Sequence, residues 1–206
     1  YKRQGVDTEY FQPAANGMQK PNESHAGLRL LFVGRVVYQK GLDILFHALG
    51  GLRDYTWQLT VVGDGPLRES LNHLAEDLGI ADRIQFIGWV HRDELPAIYR
   101  QADVFVFPSR HEGMSNVVLE AMASGLPVIA TDIAGNQELI ISGENGFLIE
   151  PEAGSELSEV LEQIMRRPQL LPAMGEKAQR YIKQYFSWHK AAEQYLAVIH
   201  RLEENS

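Results

Sequence analysis

Two glutamates eight residues apart, Glu112 and Glu120, lie in the densest cluster of chemically useful residues in this chain. They follow an apolar, strand-like run at 103–107 and accompany the start of a helical pattern near 116. A helix start behind a flexible glycine such as Gly113 presents unpaired backbone amides, which bind anions. Carboxylates beside an anion site need another partner, and sugar hydroxyl groups are the obvious candidates. The alternative is that Glu112 caps the helix and Glu120 is a solvated helix charge.

A second cluster pairs two cations with two glycines after an apolar run at 29–33. Arg35 and Lys40 lie between Gly34 and Gly41. Arginine offers a planar fork of donors and lysine a point charge, which together suit a phosphate group. The spacing differs from that of a Walker loop. The alternative is that both side chains are ordinary surface cations.

Two further loops follow apolar runs. Residues 63–66 read Gly-Asp-Gly-Pro, and the third glycine of a dinucleotide-binding fingerprint would fall at position 68, which is Arg68. A structural turn around Gly63 is therefore favoured over a dinucleotide site. Residues 131–138 supply small residues, a turn and the carboxylate of Glu138 before another helix start.

Several other chemistries are disfavoured by what the sequence holds. His91 and His111 occupy loop positions without other ligands at metal-binding spacing, so each is read first as a surface or capping residue. Of the two, His111 is the stronger candidate for a functional role, because it is next to Glu112 in the sequence. The chain has no cysteine, which excludes thiolate metal sites and thiol nucleophiles, and no Gly-x-Ser-x-Gly elbow of serine hydrolases.

The composition is that of an ordinary globular chain. Its 206 residues are 45% hydrophobic and 22% charged, with a formal net charge of −8. This acidic balance predicts no nucleic-acid partner. The longest apolar runs, at 28–34 and 102–108, are far shorter than the roughly 20 residues of a membrane-spanning helix, so no membrane insertion by this chain is expected. The first residues, YKRQG, lack an initiating Met and an apolar signal region, which we interpret as the mark of a fragment.

Alternating patterns predict an α/β fold with a Rossmann-like, doubly wound parallel sheet of about six strands and helices on both faces. The predicted strands are 29–33, 57–62, 84–87, 103–107, 127–130 and 146–149; the predicted helices are 40–50, 66–78, 93–101, 116–124, 135–142, 155–166, 171–184 and 188–203. In such sheets ligands bind at the carboxyl ends of the strands. The loops described above should therefore meet in one cleft.

The chain divides into three predicted parts. Residues 1–27 lack periodicity and are interpreted as an interdomain linker or docking segment outside the core. Residues 28–186 would form the ligand-binding Rossmann-like domain. Residues 187–206 would form a C-terminal helix, with Ser187 as its N-cap and an apolar stripe that needs a partner surface.

Together these motifs resemble the C-terminal, donor-binding half of retaining glycosyltransferases of the GT-B fold, family 4 (glycosyl transferases group 1). The resemblance extends from about Gly5 to Tyr195. The matching residues are Gly34-Arg35-x4-Lys40-Gly41, Gly63-Asp64-Gly65, Phe86-Ile87-Gly88, Ala102-Asp103-Val104, Pro108-Ser109, Glu112-Gly113, Glu120-Ala121, and Gly125-x-Pro127-Val128. The sequence departs from the family at 134–138, where two glycines and a proline are more usual.

The resemblance implies a role for each matched residue. Arg35, Lys40, Gly113, Met114, Ser115 and Asn116 would bind the donor diphosphate; Glu112 would act in catalysis by holding donor-sugar hydroxyls; Glu120 would hold the ribose; Trp89 and Val90 would meet the base. Gly34, Gly63, His111 and Glu138 are further candidates. No metal and no separate cofactor would be needed, and a UDP-sugar is preferred to a GDP- or ADP-sugar as the donor substrate.

The implied function is transfer of a sugar from a nucleotide-diphosphate sugar to a hydroxyl acceptor with retention. The alternatives are half of a non-hydrolysing sugar-nucleotide epimerase and a non-catalytic nucleotide-sugar binding module. The partners would be the nucleotide sugar and an N-terminal acceptor domain of the same polypeptide, towards which the C-terminal helix would cross. This fragment alone would be inactive, and the parent enzyme would be cytoplasmic or peripheral at the inner face of the membrane.

Overall fold

The structure, a computed structural model, describes residues 5–13, 27–193 and 195–196. Its centre is a six-stranded sheet in which every neighbouring pair is parallel. The strands are β1 (Leu28–Val33), β2 (Trp57–Val62), β3 (Ile84–Gly88), β4 (Val104–Phe107), β5 (Val128–Thr131) and β6 (Gly146–Ile149). The spatial order is β3-β2-β1-β4-β5-β6. This is the predicted α/β, Rossmann-like fold.

Helices connect the strands and continue after the last one. They are α1 (Leu42–Gly50), α2 (Arg68–Asp77), α3 (Leu95–Gln101), α4 (Asn116–Ala123), α5 (Ala134–Gln137), α6 (Gly154–Arg166) and α7 (Leu171–Tyr185). Every residue of β4 and β5 is buried. Continuous burial explains why these strands are apolar without alternation, as in parallel sheets covered on both faces. Among the described residues, no helix is long and apolar enough to cross a membrane.

The strand order places the candidate loops together. β1 and β4 are neighbours in space although two strands separate them in sequence. The chain therefore leaves their carboxyl ends in opposite directions, which opens a crevice at that edge of the sheet. The loops that carry Lys40 and Glu112 follow these two strands.

Most predicted helices end within two residues of the observed bounds, and two differences have a clear local cause. The helix predicted at 40–50 is split, because Gly41 has φ +67° and ends a 3-10 turn, Tyr38–Lys40, before α1 begins. A Cβ at position 41 would overlap the Pro108 carbonyl oxygen, so this backbone approach requires glycine. The helix predicted at 135–142 ends at Gln137. Beyond it, the Asn145 side chain accepts a hydrogen bond from the Ile141 amide and donates one to the Leu139 carbonyl, so this part of the backbone bonds a side chain in place of a helical partner.

The N-terminal segment contributes to the core, contrary to expectation. Phe11 is fully buried and Val6 nearly so. The Phe11 ring meets Tyr99 edge-on, with centroids 5.9 Å apart. Isolated apolar residues without periodicity give no sequence signal of burial, which is why this contribution to the core was not predicted. Residues 14–26 lie outside the described part, and the predicted boundary after residue 27 remains a prediction.

The predicted C-terminal helix begins as expected. The Lys190 amide donates to the Ser187 hydroxyl at 3.3 Å, which makes Ser187 the N-cap. Residues 188–193 and 195–196 are helical, and the rest of the predicted helix falls outside the described residues. Trp188, Tyr195 and Leu196 expose about half of their surface. The apolar stripe of this helix is therefore only partly covered.

Candidate functional site

The loop after β1 rests on the loop after β2. Gly63 has φ +118°, and a Cβ there would overlap the Gly34 carbonyl oxygen. A Cβ at Gly65 would likewise overlap the Val36 carbonyl, and the Val36 amide donates to the Asp64 carbonyl at 3.0 Å. The two glycines of the Gly-Asp-Gly motif thus serve close packing. Their role is to support the loop that carries the cations.

Lys40 and Glu112 form an ion pair across the crevice. Each side chain is about four-fifths buried, with 19% and 18% of its surface exposed. The Ser109 hydroxyl lies 3.1 Å from Glu112 Oε1 and 2.8 Å from the Gln39 carbonyl, so it links both loops. Among the described residues, no amide at the start of α4 bonds Glu112. The carboxylate therefore faces the cation and does not cap the helix.

The start of α4 presents unpaired amides beside this ion pair. Ser115 is the N-cap by position, but its side chain makes no capping hydrogen bond. Within the described part of the chain, the amides of residues 116–118 donate to no protein acceptor. A helix start of this kind carries partial positive charge and can bind an anion. The predicted anion-binding segment, from Gly113 to Asn116, lies at this helix start.

The loop after β5 is packed against the same segment. Gly135 is buried, and a Cβ there would overlap the Gly113 carbonyl group. The Thr131 hydroxyl donates to the Ser109 carbonyl. These contacts fix the position of the α4 start. Glu138 is exposed, and among the described residues none pairs with its carboxylate.

Glu120 lies on α4 and is partly buried. The Tyr99 hydroxyl donates to its Oε2 at 3.0 Å. Burial raises the pKa of Glu120 above its usual range, and the Tyr99 hydrogen bond and the nearby Arg92 charge only partly offset this effect. Burial also raises the pKa of Tyr99 well above its usual value, so the phenol is the proton donor. Sequence reasoning missed Tyr99.

The remaining predicted residues lie on the loops without joining the ion pair. Arg35 is exposed, and no described carboxylate pairs with it. Trp89 exposes 77% of its surface and meets the His91 ring edge-on at 6.1 Å. Val90 packs against the core, and the His111 side chain is exposed. The structure thus brings Lys40 and Glu112 together, while Arg35, the base region and His111 remain at the surface.

Arg110 is a second residue to which sequence reasoning gave no role. Its guanidinium makes two hydrogen bonds to Asp43, at 2.7 and 2.8 Å, and two to Glu152, at 2.5 and 3.1 Å. It donates to the Tyr38 carbonyl at 2.7 Å and lies 3.9 Å from the Tyr38 ring centroid. The Arg110 hydrogen bonds lower the pKa of Asp43. Because its partners are distant in sequence, only the position of Arg110 beside a strand end could have suggested this role.

The model of the family described as Glycosyl transferases group 1 matches residues 15–181. A GDP-mannose-dependent alpha-(1-6)-phosphatidylinositol monomannoside mannosyltransferase of Mycobacterium tuberculosis is 32% identical over 204 residues, covering 93% of this chain and 53% of that protein. The chain spans about half the length of the curated relatives it matches.

Two solved structures show the same fold. Sucrose-phosphate synthase from Thermosynechococcus elongatus has a TM-score of 0.86 and 28% identity, covering 98% of this chain and 52% of that one. The C-terminal domain of a glycosyl transferase group 1 family protein (LpcC) from Francisella tularensis has a TM-score of 0.78 and 28% identity, covering 89% and 100%. This chain belongs to the glycosyl transferases group 1 family.

Proposed function

We propose that this chain is the donor-binding domain of a retaining glycosyltransferase, which moves a sugar from a nucleotide diphosphate to a hydroxyl acceptor. The observation that carries the proposal is the Lys40–Glu112 pair beside the unpaired start of α4. A cation and backbone amides suit a diphosphate, and an adjacent carboxylate suits sugar hydroxyls. Similarity to a C-terminal domain solved by itself supports the assignment to this half of the enzyme.

The charge that develops in the reaction can be taken up by these groups. When the bond between the anomeric carbon and the diphosphate oxygen breaks, the leaving diphosphate gains negative charge. Arg35, Lys40 and the amides of 114–116 would stabilise it without a metal ion, because fixed donors need no reorganisation. Glu112 would hold the sugar hydroxyls near the reacting carbon. The acceptor oxygen then bonds that carbon on the face the diphosphate left, and its proton passes to solvent.

The nucleoside would occupy the other side of the crevice. Glu120 would accept hydrogen bonds from the ribose, and Trp89 with Val90 would meet the base. We propose a UDP-sugar as donor in preference to a GDP- or ADP-sugar. The name of the mycobacterial relative specifies GDP-mannose, so the binding of UDP and GDP to this chain has to be compared directly.

The acceptor site would belong to another domain of a longer polypeptide. Support comes from the curated relatives, of which this chain covers only about half. The chain alone would bind donor without efficient turnover, because acceptor positioning supplies much of the rate. We propose a cytoplasmic location, peripheral to the inner membrane face for the parent, since nucleotide sugars are made in the cytoplasm.

Isothermal titration of the chain with UDP, GDP, ADP and their sugar conjugates, with a metal chelator present, tests the proposal. One nucleotide should bind in the chelator, and Arg35→Ala and Glu120→Ala should each weaken it by about 10-fold or more, as expected for hydrogen bonds to charged groups. Arg53→Ala, an exposed arginine at the opposite edge of the sheet, should change nothing. Absence of binding to every nucleotide by the folded chain would contradict the proposal.

A further inference from the structure

Tyr99 on α3 is a fully buried tyrosine whose hydroxyl points at a candidate ligand-binding carboxylate. Its ring packs edge-on against Phe11, at 5.9 Å, and against Phe105, at 6.0 Å. A buried phenol needs a hydrogen-bond partner. Two acceptors lie within reach, Glu120 Oε2 at 3.0 Å and the Val117 carbonyl at 3.4 Å. Both acceptors belong to α4.

The hydrogen bond constrains one half of the carboxylate. Because Tyr99 is held by aromatic rings on two sides, its hydroxyl defines the position of Oε2 and hence the direction of the Glu120 side chain. Among the described residues, no donor contacts Oε1 of Glu120. That oxygen is free to accept hydrogen bonds from a ligand.

A purely structural tyrosine explains the arrangement less well. A phenylalanine would fill the same space between Phe11 and Phe105 without burying a hydroxyl group. The carboxylate would be better solvated if it pointed away from α3, since burial penalises its charged form. Tyr99 and Glu120 both lose solvation in this arrangement, which is expected where function requires their geometry.

We infer that Tyr99 is a positioning residue of the nucleotide site: it fixes Glu120 so that the second carboxylate oxygen accepts a hydrogen bond from a ribose hydroxyl. The inference rests on the proposed function and adds the residue that determines recognition of the ribose. Tyr99 itself would not touch the nucleotide. Its contribution should therefore depend on the presence of the ribose hydroxyls.

The test compares a ribonucleotide with its 2′,3′-dideoxy form. UDP, GDP and ADP are titrated first, and then the dideoxy form of the tightest binder. The unmodified chain should bind the ribonucleotide at least 10-fold more tightly than the dideoxy form. Tyr99→Phe should weaken the ribonucleotide about 3- to 10-fold and leave the dideoxy form within 2-fold. Tyr55→Phe is the matched control, because the Tyr55 hydroxyl also bonds a glutamate, Glu162 at 2.8 Å; it should change neither affinity.

A double variant gives a second, independent measurement. In Glu120→Ala, adding Tyr99→Phe should have no further effect on affinity, because the positioned group is already gone. Equal weakening of both nucleotides by Tyr99→Phe would show a merely structural role and overturn the inference, as would no weakening at all. Either result leaves the proposed function standing. Failure of the unmodified chain to bind any nucleotide would overturn both.

Discussion

Glu120 holds its charge where solvation is poor. Burial raises its pKa above the ordinary value of 4.5. The folded chain therefore binds this proton more tightly than the unfolded chain does. The protonated group contributes its full share to stability below pH 4.5, and that share is lost as the pH rises through the folded-state pKa. At neutral pH the ionised carboxylate thus destabilises the fold.

Glu120→Gln should accordingly raise the Tm at pH 8 while weakening the proposed hydrogen bond to the ribose. The gain should be a few degrees, since 1 kcal/mol shifts Tm by about 2–4 °C in a chain of this size. The Tm difference from the unmodified chain should shrink as the pH falls through the raised pKa of Glu120, because below it both side chains are neutral. Calorimetry at several pH values measures this. Glu159→Gln, an exposed glutamate on α6, is the control, and a gain independent of pH would refute the explanation.

Glu112 should determine how the donor sugar is recognised. Its carboxylate pairs with Lys40, which we assign to the diphosphate. Glu112→Gln keeps the side-chain shape and removes the charge, so the affinity for UDP should change by less than about 3-fold. A UDP-sugar should lose about 10-fold, because hydrogen bonds to a charged group are replaced by neutral ones. Titration with both ligands checks this, and equal losses for both would contradict the assignment.

At the scale of the elements, Arg110 fastens the loop after β4 to the elements on either side of it. Its bonds reach Asp43 at the start of α1 and Glu152 before α6. Glu152 is the one non-glycine residue with positive φ in the described part of the chain, at +63°. A left-handed backbone is strained for glutamate and persists when its surroundings hold it there. The network around Arg110 supplies such surroundings.

Arg110→Lys should loosen this loop although it preserves the charge. A lysine ammonium cannot bond two carboxylates and a carbonyl while stacking on Tyr38. We expect a Tm decrease of several degrees and a several-fold loss of nucleotide affinity, measured by calorimetry and titration. Arg166→Lys is the matched control, because Arg166 pairs with Glu162 at 2.8 Å on an exposed surface, where ion pairs contribute little. Equal effects of both substitutions would contradict a role of Arg110 in holding the loop after β4.

The packing of α5 on the α4 start offers another test at this scale. Gly135→Ala would drive a methyl group into the Gly113 peptide, which must move. Such overpacking typically costs about 1–3 kcal/mol and should also displace the amides that we propose bind the diphosphate. Both Tm and UDP affinity should fall. Gly154→Ala is the control, because the nearest atom to its new Cβ would be Ile44 Cγ2 at 3.7 Å, and it should lower neither quantity. Unchanged Tm and UDP affinity for Gly135→Ala would show that the Gly113 peptide can move without cost.

The elements themselves could be predicted because each strand is a short apolar run between turn residues. The meeting of the candidate loops at one edge of the sheet could be predicted too, since parallel strands bring their following loops together. Side-chain partners that are distant in the sequence could not be predicted. Tyr99 and Arg110 find carboxylates 21 to 67 residues away, and no local pattern records such a pairing. The burial of Phe11 was not predicted for the same reason, because a single buried aromatic residue leaves no periodic pattern in the sequence.

At the scale of the whole molecule, the candidate site and the exposed apolar residues of the C-terminal helical segment lie on separate parts of the chain. The diphosphate and ribose candidates come from loops of the sheet, whereas Trp188, Tyr195 and Leu196 belong to the C-terminal helical segment. Under the proposed function, donor binding by this chain does not use the C-terminal helical segment, which stays available to the proposed second domain. Donor affinity and turnover should then be separable.

We expect the present chain and a longer polypeptide with the acceptor domain to bind UDP with dissociation constants within about 10-fold of each other. Only the longer polypeptide should transfer sugar efficiently, because well-oriented acceptors correspond to effective concentrations of about 10⁵ M or more. Titration and product analysis with a labelled UDP-sugar measure the two properties. Glu112→Gln in the longer polypeptide is the control that should keep UDP binding and lose transfer. Equal turnover by both polypeptides would mean that this chain holds its own acceptor site. A much weaker UDP affinity of the present chain would mean that the second domain completes the donor site.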